Sequence, residues 1–206
     1  MAESDLRVLN DLSPSPSGWV EAVVADFDEF LKDHASCEKK ASGMAMAVAS
    51  HYPDQPRLLQ AMVDLAVEEL NHYREVIRLL MARGVVPGAD RKDPYINALN
   101  QHVRRGAEHF LLDRLLMGAV VERRGAERFA LLAARLLDTT AAANNATRQL
   151  AKFYRSIAAS EQRHWTLFVE LAKSHCDADA VVPRCNELIA IEAEVMYQQP
   201  LRPALH

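Results

Sequence analysis

The sequence predicts an all-α protein: a four-helix bundle with additional short helices and a C-terminal helix, formed by one domain over residues 1–206. Three observations predict it. Only 7 Gly and 9 Pro occur in 206 residues, 50% of which are hydrophobic, so long stretches rich in Ala and Leu run without a breaker. Apolar and small residues recur at spacings of three and four through four such stretches. Glu-x-x-His occurs twice, as Glu69-Leu70-Asn71-His72 and Glu161-Gln162-Arg163-His164. On a helix that spacing places both side chains on nearly the same face.

The core spans about residues 19–174. Ahead of it, Ser13-Pro14-Ser15-Pro16-Ser17-Gly18 is breaker-rich and reads as a lead-in. The first helical region starts near Trp19 and runs to about Ser50, with Phe27, Phe30, Leu31, His34, Glu38, Ala41 and Ala45 inward and a bend expected near Asp33. Asp54 is the expected N-cap of the second helix and Pro56 fits its first turn. Its inward stripe is Leu58, Met62, Leu65, Glu69, His72, Val76 and Leu79 or Leu80, and Gly84 stops it.

Asp93-Pro94 opens a short helix. The third core helix runs from about Glu108 to Leu137, with Leu112, Leu115, Ala119, Glu122, Ala126, Phe129 and Ala133 on one face. Asp138 to Thr147 is a connection, and the fourth helix starts by about Ala146. Phe153 or Tyr154, Ile157, Glu161, His164, Trp165 and Phe168 face its core. Residues 177–206 hold a linker, a last helix opened by Pro183, and an extended tail from Gln198.

Composition excludes several classes. No run of about eighteen apolar residues and no leader pattern is present, so a soluble cytoplasmic protein with no membrane association is expected. Cys37, Cys176 and Cys185 form neither a CxxC pair nor an even framework, which fits free thiols in a reducing compartment. A net charge of -4 supplies no global attraction for nucleic acid, so any such contact needs a local basic patch.

The Glu-x-x-His pairs each need a further single Glu from the preceding helix, and each has one. Glu38-Lys39-Lys40-Ala41-Ser42 resembles Glu122-Arg123-Arg124-Gly125-Ala126, so the chain reads as a duplicated helix pair with small residues beside each single carboxylate. Glu38, Glu69, His72, Glu122, Glu161 and His164 would then give each of two ions one His and one terminal Glu, with two Glu left to bridge. That donor set suits non-haem iron, and it also tolerates manganese or a mixed pair. Four inward carboxylates without compensating cations would be very costly, which favours metal over four solvated acids.

Glu127 competes with Glu122, but Glu122 has Leu115, Gly118, Ala119, Gly125, Ala126 and Phe129 around it, whereas Glu127 has Arg123 and Arg124. His34, one turn before Glu38, reads first as a packed core residue and second as a support for Glu38. Tyr73, Tyr154 and Trp165 read first as aromatic packing.

Four local words carry a family resemblance: Asp33-His34-Ala35-Ser36-Cys37-Glu38-Lys39-Lys40-Ala41, Glu68-Glu69-Leu70-Asn71-His72-Tyr73, Val121-Glu122-Arg123 with Glu127-Arg128-Phe129, and Ser160-Glu161-Gln162-Arg163-His164. From about Trp19 to Lys173 the chain resembles the MiaE family of tRNA hydroxylases, with a longer Asp138 to Thr147 connection. The resemblance implies a ferritin-like fold and a monooxygenase that hydroxylates the isopentenyl group of 2-methylthio-isopentenyl-adenosine beside the tRNA anticodon. It further implies two iron ions, dioxygen as co-substrate, an external electron donor and its partner protein, and a monomer or small homo-oligomer. Lys39-Lys40, Arg104-Arg105, Arg123-Arg124, Arg148, Lys152 and Arg155 are the candidate RNA contacts. The alternative function for the same ligands is ferritin-like iron oxidation, storage or peroxide detoxification.

Overall fold

The structure is a computed structural model and describes residue 9 and residues 11–90, 92–138 and 145–206. Among the described residues every regular element is an α-helix: α1 (Trp19–Ala25), α2 (Phe27–His51), α3 (Pro56–Ala82), α4 (Pro94–Asn100), α5 (Ala107–Asp138), α6 (Asn145–His175) and α7 (Ala178–Gln198). They form two compact units. One takes residues 21–93 with 201–205, and the other takes the segment up to Val20 with 94–200 and His206.

In the first unit α2 packs along α3. Phe30, Leu31, Ala45 and Val48 of α2, and Leu58, Met62, Leu65, Val76 and Leu80 of α3, are buried. Each such large side chain contributes about 1.5–3 kcal/mol, far more than the few tenths that helix propensity supplies per residue. Packing therefore sets these helices. Ser42 Oγ donates to the Ala66 carbonyl at 2.9 Å and ties the two helices together.

The break in the first helical region falls at Asp26, not near Asp33. The Asp26 carboxylate accepts the Glu29 N–H at 3.2 Å and caps α2, whose first turn carries Asp28 and Glu29. Asp33 instead sits mid-helix, where its carboxylate accepts the Leu205 N–H at 2.7 Å. The cap of α3 is Gln55 in place of Asp54: Pro56 at the first helical position keeps the residue before it out of the helical region (φ -110, ψ 84). Gly84, at φ 72, ends α3 as expected: Val85 N–H reaches the Leu80 carbonyl at 2.9 Å and Gly84 N–H the Met81 carbonyl at 3.0 Å.

In the second unit α5 packs along α6, and α7 packs against both and against α4. Leu115, Ala119 and Phe129 of α5 and Tyr154, Ile157 and Phe168 of α6 are buried, with the Phe129 and Tyr154 rings stacked at 5.7 Å. The expected connection is shorter than Asp138 to Thr147, since α5 runs through Asp138 and α6 starts at Asn145; residues 139–144 lie outside the described residues. Pro183 does not open the last helix. Asp177 caps α7 by accepting the Asp179 N–H at 3.1 Å, and Pro183 sits inside the helix, which forfeits one backbone bond there.

Candidate metal centre

In the first unit α2 carries Glu38 and α3 carries Glu69 and His72. His72 Nδ1 lies 3.4 Å from Glu69 Oε2 and 3.6 Å from Glu38 Oε2. The second unit repeats this arrangement on α5 and α6. His164 Nδ1 lies 3.6 Å from Glu122 Oε2 and 3.7 Å from Glu161 Oε2. All four carboxylates and His164 are buried, and His72 is nearly so.

These separations exceed the ~2.7–3.2 Å of an N–H···O hydrogen bond. They lie at or a few tenths of an ångström beyond the roughly 3–3.5 Å that separates two donors sharing one ion at bond lengths of about 2 Å. The donor set of each half, two carboxylates and one imidazole, suits a divalent first-row metal.

The electrostatics carry the same message. Burial alone would raise the Glu38 carboxyl, but the hydrogen bond from His34 and the neighbouring His72 outweigh it and hold it well below the usual carboxylate range. Burial would lower His72, yet Glu38 and Glu69 push it up to about 10. Two buried acids thus demand a cation between them, which a proton on His72 or a metal ion supplies.

His34, which the sequence places first in the packed core, touches Glu38: its Nε2 lies 2.6 Å from Glu38 Oε1, with both side chains buried. Glu127 is engaged elsewhere, accepting from Ser15 N–H at 2.8 Å, Ser15 Oγ at 2.6 Å and Arg124 Nη1 at 3.0 Å. In its unit Glu122 is the acid beside His164. Tyr154 packs on Phe129 and Phe153, and Trp165 is buried under the Arg123 guanidinium at 5.0 Å.

Residues 4–206 match the family model described as MiaE: tRNA-(MS[2]IO[6]A)-hydroxylase (MiaE). The chain belongs to the MiaE family. It is 34% identical over 187 residues to the tRNA 2-(methylsulfanyl)-N(6)-isopentenyladenosine(37) hydroxylase of Pseudomonas putida, covering 91% of this chain and 86% of that protein. To the protein of the same description from Salmonella typhimurium it is 29% identical over 164 residues, 80% of this chain and 56% of that relative. Among solved structures it is similar to a Synechococcus protein titled "Protein 43 with aldehyde deformylating oxygenase activity", with a TM-score of 0.81 and 32% identity over 93% of this chain and 90% of that one. The fold of this MiaE-family chain is ferritin-like.

Several candidate RNA contacts of this family member are committed elsewhere. Arg124 is 0% exposed and bonded to Glu192, so it cannot meet a polyanion. Arg104 grips Asp113 at 2.6 Å, Lys39 pairs with Asp90 at 2.7 Å, and Arg123 lies over Trp165 with burial lowering its pKa. Adjacent basic residues look like one surface in the sequence, but neighbours on a helix point about 100° apart. Arg148, Lys152 and Arg155 differ: all three are exposed and share one face of α6.

Sequence reasoning missed the buried polar residues Asp113, Arg184, Tyr95 and Glu192. Glu192 alone carries a signal, as an acid directly after the apolar run Leu188-Ile189-Ala190-Ile191.

Proposed function

We propose that this MiaE-family chain hydroxylates the isopentenyl group of 2-methylthio-isopentenyl-adenosine in tRNA. The observation that carries the reading is the repeated half-site, a single Glu and a Glu-x-x-His around one imidazole nitrogen, found in both units at nearly equal distances. In this reading Glu38, Glu69 and His72 of the first unit and Glu122, Glu161 and His164 of the second would be the ligands of two iron ions. Glu38, Glu69 and His72 would hold one ion and Glu122, Glu161 and His164 the other.

An iron pair held there supplies the activation of dioxygen. The balance is one C–H bond, one dioxygen, two electrons and two protons giving one C–OH and one water, so an external donor must deliver the electrons. The chain itself sets aromatic side chains around the second half-site. Phe168 fills the space against Gly118, and Phe129 lies beside Gly125, where an added Cβ would stand 3.7 Å from Glu161 Cγ. Such apolar walls limit escape of reactive oxygen to water.

For the tRNA the supporting feature is the Arg148, Lys152 and Arg155 face. Among the described residues none of these three makes an ion pair or hydrogen bond. They stand in the N-terminal half of α6, which carries no acid before Glu161, and Arg148 lies in the first turn, where the helix dipole opposes a cation. An anionic backbone is the complement they lack. Arg155 is six residues from Glu161, about 9 Å along the helix axis. A tRNA substrate fits a cytoplasmic protein, and no helix among the described residues is long and apolar enough to cross a membrane.

The ligand reading is tested by Glu69→Ala and His164→Ala. Both purified variants are expected to keep their helical circular dichroism and lose iron by metal analysis; full iron content in both contradicts the reading.

A further inference from the structure

The two half-sites share their acids and imidazole but differ one turn before the single Glu. In the first that place is His34, and in the second it is Gly118. His34 is 0% exposed, and its Nε2 lies 2.6 Å from Glu38 Oε1. An ionised carboxylate has no proton to give, so His34 Nε2–H donates, a short charge-assisted bond. Gly118 offers no such donor. The volume a side chain would take is filled by Phe168, whose ring carbons lie 2.9 to 3.1 Å from a built Cβ. Among the described residues of its unit, the basic group recorded beside Glu122 is His164 Nδ1 at 3.6 Å.

We propose that His34 is a positioning residue that pins Glu38 and makes the Glu38, Glu69 and His72 half the tighter of two unequal metal positions, a reading that rests on the six-ligand assignment. The His34 bond on Oε1 holds Glu38 in one rotamer, in which it would offer a metal Oε2, 3.6 Å from His72 Nδ1. Among the described residues Glu122 accepts no such hydrogen bond, its Oε2 standing 3.6 Å from His164 Nδ1, so ordering it on a metal would cost side-chain entropy that the His34 bond has already taken from Glu38. Partners that orient a ligand in this way are worth about 10–100-fold in metal affinity.

The test is anaerobic equilibrium dialysis of the full chain against ferrous iron. The wild type is expected to bind in two steps at least about tenfold apart. Glu38→Gln should remove the tighter step and Glu122→Gln the weaker. His34→Leu should weaken the tighter step by about 10–100-fold and leave the other, whereas His34→Gln, which keeps a side-chain N–H, should largely restore it. Two equal steps in the wild type, or a His34→Leu titration identical to wild type, overturns the proposal. Should His34→Leu fail to fold, the Glu38→Gln and Glu122→Gln pair decides, and loss of the same step in both overturns it. A wild type that binds no iron contradicts the six-ligand assignment itself.

Discussion

Arg124 and Glu192 form a two-point ion pair out of contact with water: Nε donates to Oε1 and Nη2 to Oε2, each at 2.8 Å, with both residues 0% exposed. Tyr95 Oη adds a third donor to Glu192 at 3.0 Å, so α4, α5 and α7 meet at one carboxylate. Arg124 Nη2 also reaches the Ser13 carbonyl at 2.8 Å, which fastens the lead-in segment to α5 two residues after Glu122.

Removing Glu192 takes away the fully buried counter-charge of Arg124 and leaves it the half-buried Glu127 as its acid partner. Glu192→Ala is expected to destabilise the protein by about 3–5 kcal/mol, whereas the double variant Arg124→Met with Glu192→Leu recovers most of that. Chemical denaturation of the three proteins checks this, and a Glu192→Ala midpoint equal to wild type contradicts it.

Asp113 gives an acid-dependent contribution. Burial would raise its carboxyl, but bonds from Arg104 and Arg184 outweigh this and lower it from 3.8 to about 2. A folded pKa below the unfolded one means stability that is present above about pH 4 and lost as pH falls toward 2. The difference is worth about 2 kcal/mol. Urea midpoints should fall over that window in the wild type and fall less in Asp113→Asn; parallel pH profiles count against the assignment.

Two glycines near the second half-site should respond oppositely. At Gly118 an added Cβ meets Phe168 at 2.9 Å, so Gly118→Ala is expected to cost about 1–3 kcal/mol. At Gly125 the nearest atom is Glu161 Cγ at 3.7 Å, ordinary contact, and Gly125→Ala should be neutral or stabilising. Thermal melts of the pair check the contrast, and equal losses contradict it.

The helices and the six candidate ligands are legible in the sequence because periodicity of three and four is a local property that burial then obeys. Glu38, Glu69, Glu122 and Glu161 interrupt apolar stripes, and those interruptions mark the half-sites. Partners far apart in sequence are not legible. Nothing local says that Arg124 meets Glu192 or that Asp113 holds Arg184, and the basic pair Arg123-Arg124 reads as surface for that reason. Boundaries differ where side-chain capping decides them: Asp26 splits the first helix, and Asp177 starts α7 ahead of Pro183. His34 is ambiguous because its reach to Glu38 is an i, i+4 approach that packing and support share.

Charge removal on α6 probes the RNA face. The triple variant Arg148→Gln, Lys152→Gln, Arg155→Gln should weaken tRNA binding and lower the slope of log affinity against log salt by about 0.7–0.9 for each phosphate left unneutralised, with iron content unchanged. Arg74→Gln with Arg78→Gln on α3 is the control expected to leave the slope alone. An unchanged slope in the triple variant removes that face from the account.

The central claim is tested most directly by product analysis. Reduced, iron-loaded protein is given dioxygen and tRNA bearing the prenylated, methylthiolated adenosine, and the digested nucleosides are weighed by mass spectrometry. Gain of one oxygen atom on that nucleoside, absent with Glu69→Ala, is the predicted result. Oxidation of the iron with the nucleoside unchanged, when an electron donor is supplied, contradicts the account and assigns the site to iron oxidation.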